Sequence, residues 1–307
     1  MQRVLVTGGA GFIGSHLVDS LLDSGHDVLV VDNFSLGRRG HLDHASASGR
    51  LTVVDADIRS KEDLRPVADF APDAVFHMAA LHFIPYCIAH PAEALEVNVL
   101  GLDAVIRSVR GAPVKTFVFP SSGAIYGFGD VPWPESAPPR PDEVYGISKW
   151  MGEQMIARFH DDRPDVRTVI ARLFNTYGPR ETNPHVLPDI MKRLHQGKLI
   201  ELGNLWPKRD LIYVTDTVTG LVATAAGSPG LEVFNVGTGS GTAIKDVLRS
   251  IEAIRGEPLH VEQVPDRIRD GDGHLIADPA KLLATGWKPE YDLDAGLGRL
   301  LEWEGLS

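Results

Sequence analysis

Cysteine is almost absent: Cys87 is the only one in 307 residues. One thiol cannot build an internal disulfide framework or a cysteine-rich zinc site, and it fits a reducing compartment. Long apolar runs are missing too; no stretch approaches the ~18 residues of a membrane span. The apolar stretch after Arg3 is broken by Gly8, Gly9, Gly11 and Gly14 and soon followed by His16 and Asp19. It does not read as an export signal, so a cytoplasmic location is expected. Basic residues are outnumbered, 30 Lys and Arg against 41 Asp and Glu, for a net charge of −11. The basic footprint of a general nucleic-acid binder is therefore lacking, although a small anionic ligand needs only a few local cations. What is present is an ordinary globular mixture, 43% hydrophobic and 23% charged, enough for a large core in one or two domains.

Short β-rich runs alternate with helical patterns. Strands are expected at 3–7, 28–32, 51–54, 74–77, 116–120 and 168–172, and helices at 13–24, about 92–109 and about 145–159. In the first helix Ile13, Leu17, Leu21 and Leu22 share one face, and Gly25 follows as a stop. Continuous apolar strands alternating with helices predict an α/β fold with a doubly wound parallel sheet covered on both faces. After about Asn175 the alternation loosens and Pro179, Pro184, Pro188 and Pro207 appear, before 233–236 returns as a sheet strand. The expected division is a doubly wound domain over 1–175 plus about 209–238, and a smaller interwoven lobe over about 176–208 plus 239–307.

The first strand runs into Gly8-Gly9-Ala10-Gly11-Phe12-Ile13-Gly14, a Gly-x-x-Gly-x-x-Gly pattern opening a helix. Gly8 permits the tight turn, Gly11 lets a pyrophosphate approach the backbone, and Gly14 lets the helix pack close to the sheet. The helix N-terminus, from Phe12 and Ile13 onward, then stabilises the anion. An acid, Asp32, ends the next strand, as a dinucleotide-binding Rossmann fingerprint requires. Its carboxylate would accept from a ribose hydroxyl pair and repel a 2′-phosphate. NAD is favoured over NADP, with Arg38 and Arg39 nearby as cations that could tolerate that phosphate.

Tyr145-Gly-Ile-Ser-Lys149 places Tyr and Lys four residues apart, on one face of a helix. An ammonium beside a phenol lowers the phenol pKa, and such a phenol can take a proton from a sugar hydroxyl as hydride leaves its carbon. The end of the fifth strand offers a second hydroxyl in Ser121-Ser122-Gly123-Ala124-Ile125-Tyr126-Gly127, where ligands bind such sheets.

With TGGAGFIG, VVDN, DADI, FHMAA, SSGAIYG, YGISK, RLFNTYGP, RDLIYVTD and FNVGTG in this order, the chain resembles, over essentially its whole length, the extended short-chain dehydrogenase/reductase family, in its nucleotide-sugar epimerase/dehydratase group. The resemblance implies that Ser122 hydrogen-bonds the reacting hydroxyl, Tyr145 is the general base and acid, and Lys149 holds the nicotinamide ribose. It places Asp32, Asn33, Ser35 and Gly37 at the adenosine ribose, Asp57 and Ile58 at adenine, and Met78, Ala79, Ala80 and Asn98 along the cofactor path. Arg209 and Asn175 match contacts to the substrate diphosphate side, and His185 and Val186 sit where the family lines the nucleotide. Arg269, in Arg269-Asp-Gly-Asp272, is the second phosphate clamp, with Arg267 as its rival. A UDP-sugar substrate is the family default, and a homodimer through helices at about 92–109 and 145–159 follows from the same resemblance.

Departures narrow the activity. Dehydratases of the family carry an Asp-Glu pair after the catalytic hydroxyl; here Gly123 and Ala124 stand there and cannot transfer a proton. A 4-epimerase acting on a UDP-hexose or UDP-hexuronate through a transient 4-keto sugar is expected. Its rivals are a net dehydrogenase or dehydratase of the same family and, more remotely, a non-catalytic NAD-binding protein. The stretch from His77 to His90 spaces His77, His82, Cys87 and His90 by five, five and three residues, which fits no standard zinc pattern, and no metal is expected. His82, with Phe83, Tyr86 and Cys87, is expected to line the sugar pocket instead. Trp206 and Lys208 replace a Gly/Asp-rich turn and are either a loop detail or readers of the substrate.

Overall fold

Seven strands form one sheet in which every neighbouring pair is parallel, in the computed structural model that describes residues 2–265 and 273–306. They are β1 (Arg3–Thr7), β2 (Asp27–Asp32), β3 (Leu51–Asp55), β4 (Ala74–His77), β5 (Thr116–Ser122), β6 (Arg167–Leu173) and, later in the chain, β10 (Gly230–Val236). Their spatial order is β10-β6-β5-β4-β1-β2-β3. The strand order reverses between β1 and β4, which opens a crevice beyond their carboxyl ends. Period-two alternation explains how continuous apolar strands serve two cores. Val4, Val6, Val28, Val30 and Phe76 bury into one face. Leu5, Leu29, Val31, Val75 and Phe117 bury into the other.

The first helix spans Phe12–Asp23 with Leu17, Val18, Leu21 and Leu22 buried, and Gly25 beyond it takes φ +84°, a conformation suited to a residue without Cβ. The helical stretch expected at 92–109 is continuous but uneven: Pro91–Leu95 is α, Glu96–Leu100 widens into a π turn, and Gly101–Ser108 is α again. A 3.6-residue period cannot register that one-residue insertion, and such turns gather at functional sites. The helix expected at 145–159 spans Val144–Asp162.

Beyond Asn175 the chain builds smaller sheets. β7 (Asn175–Tyr177) and β11 (Gly241–Ala243) flank β9 (Lys208–Tyr213), and β8 (Ile200–Leu202) pairs with β12 (Val261–Gln263). β9 therefore lies outside the large sheet. A third apolar cluster, including Tyr177, Ile190, Ile200, Val247, Leu297 and Leu301, packs these pieces together. No helix among the described residues is long and apolar enough to cross a membrane.

Candidate active site

The glycine loop is shaped by close approach. Gly8 has φ +68°, and a Cβ there would lie 2.6 Å from the Ala79 nitrogen; one at Gly14 would lie 2.2 Å from the Gly8 carbonyl oxygen. Both positions exclude a side chain for the protein's own packing. Gly11 differs: its φ is −74°, and an added Cβ would meet only the Gly8 oxygen, at 3.2 Å. The space over Gly11 is thus open on its outer side, and no side chain caps the helix that starts at Phe12. Uncapped first-turn N–H groups above a bare backbone suit a pyrophosphate, so the residues present fit a bound dinucleotide.

Asp32 organises this loop. Its carboxylate accepts from the Ala10 N–H at 2.9 Å and the Phe34 N–H at 2.8 Å while only 7% exposed. Burial holds its pKa above the usual carboxylate value. One lone pair on each oxygen remains for a ribose. Asn33 accepts from the Ser35 N–H and hydroxyl, and Gly37 approaches Ala10 so closely that a Cβ would sit 2.9 Å from its carbonyl carbon. Asp57 is held by Arg59, with Asn33 also donating to it, and the Arg59 contact takes its pKa down to about 2. Ile58 packs over Gly101. Arg39 is ion-paired with Asp55 and lies over the Phe34 ring at 3.9 Å, so one of the two cations that could meet a 2′-phosphate is already engaged.

Met78, Ala79 and Ala80 leave β4 directly against Gly8, with the Met78 N–H donating to Thr7 O at 3.0 Å. Asn98 ties two segments of the chain together. From the π turn it accepts from the Leu81 N–H at 2.8 Å and donates to the Leu81 carbonyl and the Ser148 hydroxyl, each at 2.9 Å. Its amide fastens the segment after β4 to the helix carrying Tyr145.

Ser122 ends β5, where its hydroxyl accepts from the Ala124 N–H at 3.1 Å. Tyr145 and Lys149 lie one turn apart near the start of the Val144–Asp162 helix. Glu143 caps that helix, its carboxylate accepting from Tyr145 N at 2.6 Å and Gly146 N at 2.8 Å. Two glycines bring the helix in. A Cβ at Gly146 would lie 2.9 Å from the Ala124 oxygen, and one at Gly152 would lie 2.4 Å from the Phe119 ring. Tyr145 is thereby brought near Ser122. Burial nevertheless pushes the Tyr145 phenol above its ordinary value, the Ser122 hydrogen bond acting the other way. Lys149 is not among the groups that move it; its ammonium is directed elsewhere, Nζ donating to the Pro120 carbonyl at 2.7 Å and standing 6.0 Å from the Tyr145 ring centroid. Lys149 itself is 5% exposed, and burial lowers its pKa to about 8. Gly123 faces Phe174, whose ring an added Cβ would meet at a tight 3.1 Å, so a side chain there would press on that ring.

The other wall comes from loops after β4 and β7. His82 and His185 are brought together, ring centroids 5.7 Å apart, with Phe83 at 5.5 Å from His185. His82 Nε2 meets the Asn183 amide nitrogen at 3.0 Å, and burial takes the imidazole pKa to about 4. It is a neutral part of that wall. His185 pairs with the buried Glu181, and Val186 begins the helix Val186–His195. Tyr86 departs from the expected pocket: it stacks on His90 and donates to Glu93 at 2.7 Å, 39% exposed. Cys87 is fully buried and its thiol is pushed up to about 11 by burial. Arg209 lies over Phe128 at 4.6 Å and donates to the Lys208 and Gly273 carbonyls, with no carboxylate partner among the described residues. A largely enclosed guanidinium that meets only carbonyls and a ring among the described residues suits a phosphate. Asn175 is exposed at the start of β7. Arg267 and Arg269 lie outside the described residues. Sequence reasoning missed Glu143, Asn183 and Glu181; only Glu143 had a local signal, an acid just before a helix.

Known proteins carry the same plan. UDP-glucose 4-epimerase of Mycolicibacterium smegmatis is 32% identical over 309 residues, covering 98% of each chain. The solved structure of Thermus thermophilus UDP-glucose 4-epimerase in complex with NAD matches with TM-score 0.88 and 32% identity over 99% of each chain. That of UDP-N-acetylglucosamine 4-epimerase from Methanobrevibacter ruminantium, with UDP-N-acetylmuramic acid, matches with TM-score 0.90 and 29% identity, covering 98% of this chain and 97% of that one. The model of the NAD dependent epimerase/dehydratase family matches residues 4–237, from β1 to the end of β10. With the glycine cradle, Asp32 and the Tyr145 helix in place, the chain belongs to that family of extended short-chain dehydrogenase/reductases and is an NAD-dependent enzyme.

Proposed function

We propose that this enzyme interconverts the carbon-4 epimers of a UDP-sugar, a hexose or a hexuronate, through a transient 4-keto sugar. The observation that carries this reading is the placement of Ser122 at the end of β5 beside Tyr145 at the start of its helix, with Lys149 one turn on and no acid at Gly123 or Ala124 to drive water loss. Tyr145, ionised to the phenolate, takes the proton of the sugar 4-hydroxyl while the Ser122 hydroxyl donates to the same oxygen. Lys149, steadied on Pro120, holds the ribose beside the reacting carbon. NAD, when bound, supplies the acceptor for the carbon-4 hydride and its return. The keto sugar turns over between the two transfers, and Tyr145 gives the proton back. Arg209 holds the diphosphate, and the wall of Phe83, Asn183 and His185 borders the sugar.

Proton NMR of the purified protein with UDP-glucose, UDP-glucuronate and UDP-N-acetylglucosamine, without added NAD, tests this. Conversion of one of them to its carbon-4 epimer is expected and names the sugar. Stoichiometric NADH release in its place would make the enzyme a net dehydrogenase. No conversion with NAD supplied would overturn the reading.

The same reading includes a homodimer. Ile147, Trp150 and Met151 lie at helical spacing and are 39–41% exposed, and Leu100, on the neighbouring helix, is 62% exposed. Such a stripe suits a second copy of this chain. Light scattering should give twice the chain mass, and Trp150→Glu should halve it.

A further inference from the structure

Under the carboxyl edge of the sheet runs a polar layer that the reaction above does not use. Ser121 of β5, Arg172 of β6 and Asn235 of β10 are adjacent in register, and all three are buried. Glu153, two turns beyond Tyr145 on the same helix and 3% exposed, reaches into this layer. It accepts from the Ser121 hydroxyl at 2.6 Å and from Arg172 through two bonds, at 2.9 and 2.8 Å. Arg172 also donates to the Tyr126 hydroxyl at 2.7 Å and the Glu135 carbonyl at 2.9 Å, and Tyr126 donates to Asn235 at 2.8 Å. Stability alone does not account for such a pair, because well-packed apolar residues in place of a buried ion pair are often as stable or more so. Its placement does: one end holds the residue before Ser122, and the other belongs to the helix of Tyr145 and Lys149.

We propose that Glu153 is a positioning residue of the catalytic centre: locked by Arg172, it fixes the end of β5 against the catalytic helix and sets a permanent negative charge one turn behind the Lys149 ammonium. This rests on the reading of Ser122, Tyr145 and Lys149 as the reacting trio. Cys87 and Glu153 are the groups that favour the charged lysine, and of these Glu153 is the carboxylate. His77, from β4, and His82, from the loop after it, are neutral, burial holding them at about 3 and about 4. The Cys87 thiol stays protonated, burial disfavours the Tyr145 phenolate, and Pro120 contributes only its carbonyl. Glu143 caps the helix and acts on Tyr145 and Cys87. Glu153 is the carboxylate that favours the charged lysine.

The test uses the NAD-loaded enzyme as purified, in wild type, Glu153→Asp and the double variant Glu153→Gln/Arg172→Met, which removes both charges together. Lysine side chains are isotope-labelled, and the Lys149 signal, assigned by its loss in Lys149→Met, is titrated by NMR. The double variant should titrate about one unit lower than wild type. Glu153→Asp keeps the charge but shortens the reach, so it should titrate as wild type while kcat falls roughly tenfold with KM unmoved. A merely structural pair would lower thermal stability without moving the lysine. An unshifted Lys149 in a folded double variant overturns the charge role. Wild-type kcat in Glu153→Asp overturns the positioning role, and that variant decides if the double one fails to fold. If no sugar is epimerised by wild type, the function reading fails while the lysine titration still tests the charge.

Discussion

The two walls of the cleft are made in different ways. On the cofactor side the backbone does most of the shaping: Gly8 and Gly14 leave no room for a Cβ, Asp32 pins two N–H groups, and Gly146 and Gly152 draw the catalytic helix onto β5. On the substrate side, side chains from distant loops do it. His82 meets Asn183 across 101 residues, and Arg209 rests on Phe128 and the carbonyl of Gly273. A backbone-built wall is intolerant of small additions. A side-chain wall can be re-cut by substitution, which is where a family varies its substrate on a constant fold.

Substitutions on each side can break this contrast, and the largest effect belongs to the reacting group itself. Tyr145→Phe should lower kcat on the order of 10³-fold while NAD stays bound. Turnover within tenfold of wild type would remove Tyr145 from its role. Next comes Gly14→Ala, whose added carbon would meet the Gly8 oxygen at 2.2 Å. It should destabilise the protein by about 3 kcal/mol and strip NAD, read by thermal melting and cofactor absorbance. Arg209→Met, on the other wall, should spare NAD and folding and raise KM for the UDP-sugar by roughly 10- to 100-fold. If Arg209→Met instead cost stability as Gly14→Ala does, the two walls would not differ in kind.

Lys149→Met should have a smaller effect of opposite sign on stability. Its folded pKa of about 8 lies below the 10.5 of the free side chain, so the buried charge opposes folding at neutral pH. That cost is complete below pH 8 and fades as pH rises to 10.5. NAD-free Lys149→Met should therefore be more stable than wild type by about 2 kcal/mol at pH 7, after the loss of the Pro120 hydrogen bond, and lose that advantage near pH 10. Calorimetry at the two pH values checks it, and the variant should be inactive.

The same contrast explains what could be read in advance. The strands at 3–7 and 74–77 are visible in sequence to the residue, because a buried parallel strand writes itself as an uninterrupted apolar run. The glycine loop is visible because steric exclusion at Gly8 and Gly14 leaves one residue type. The Glu153–Arg172 pair is invisible because its members are 19 residues apart and meet only through strand register. Tyr145 shows the limit even at a recognised site: spacing puts Lys149 on its face, but the depth of the site and the direction of the ammonium toward Pro120 decide which way its pKa moves. His82 shows the same: nothing in its sequence neighbourhood announces the Asn183 amide that meets its Nε2 from 101 residues away, or the burial that keeps it neutral.

The smallest effect is expected where the substrate side reaches furthest from the trio. Trp206 is 62% exposed, and Lys245 stands 4.0 Å from its ring centroid. An exposed cation–π contact contributes about 0.5–1 kcal/mol, so Trp206→Ala should cost no more than that in stability. Its neighbour Pro207 leads into β9, the strand that carries Arg209. A loop that only delivers that strand should leave KM for the UDP-sugar within twofold of wild type. A tenfold rise, with stability unchanged, would mean that the ring itself meets the nucleotide. The side-chain-built wall would then extend through residues 203–209, and the substitution at Trp206 would rank with that at Arg209 rather than below it.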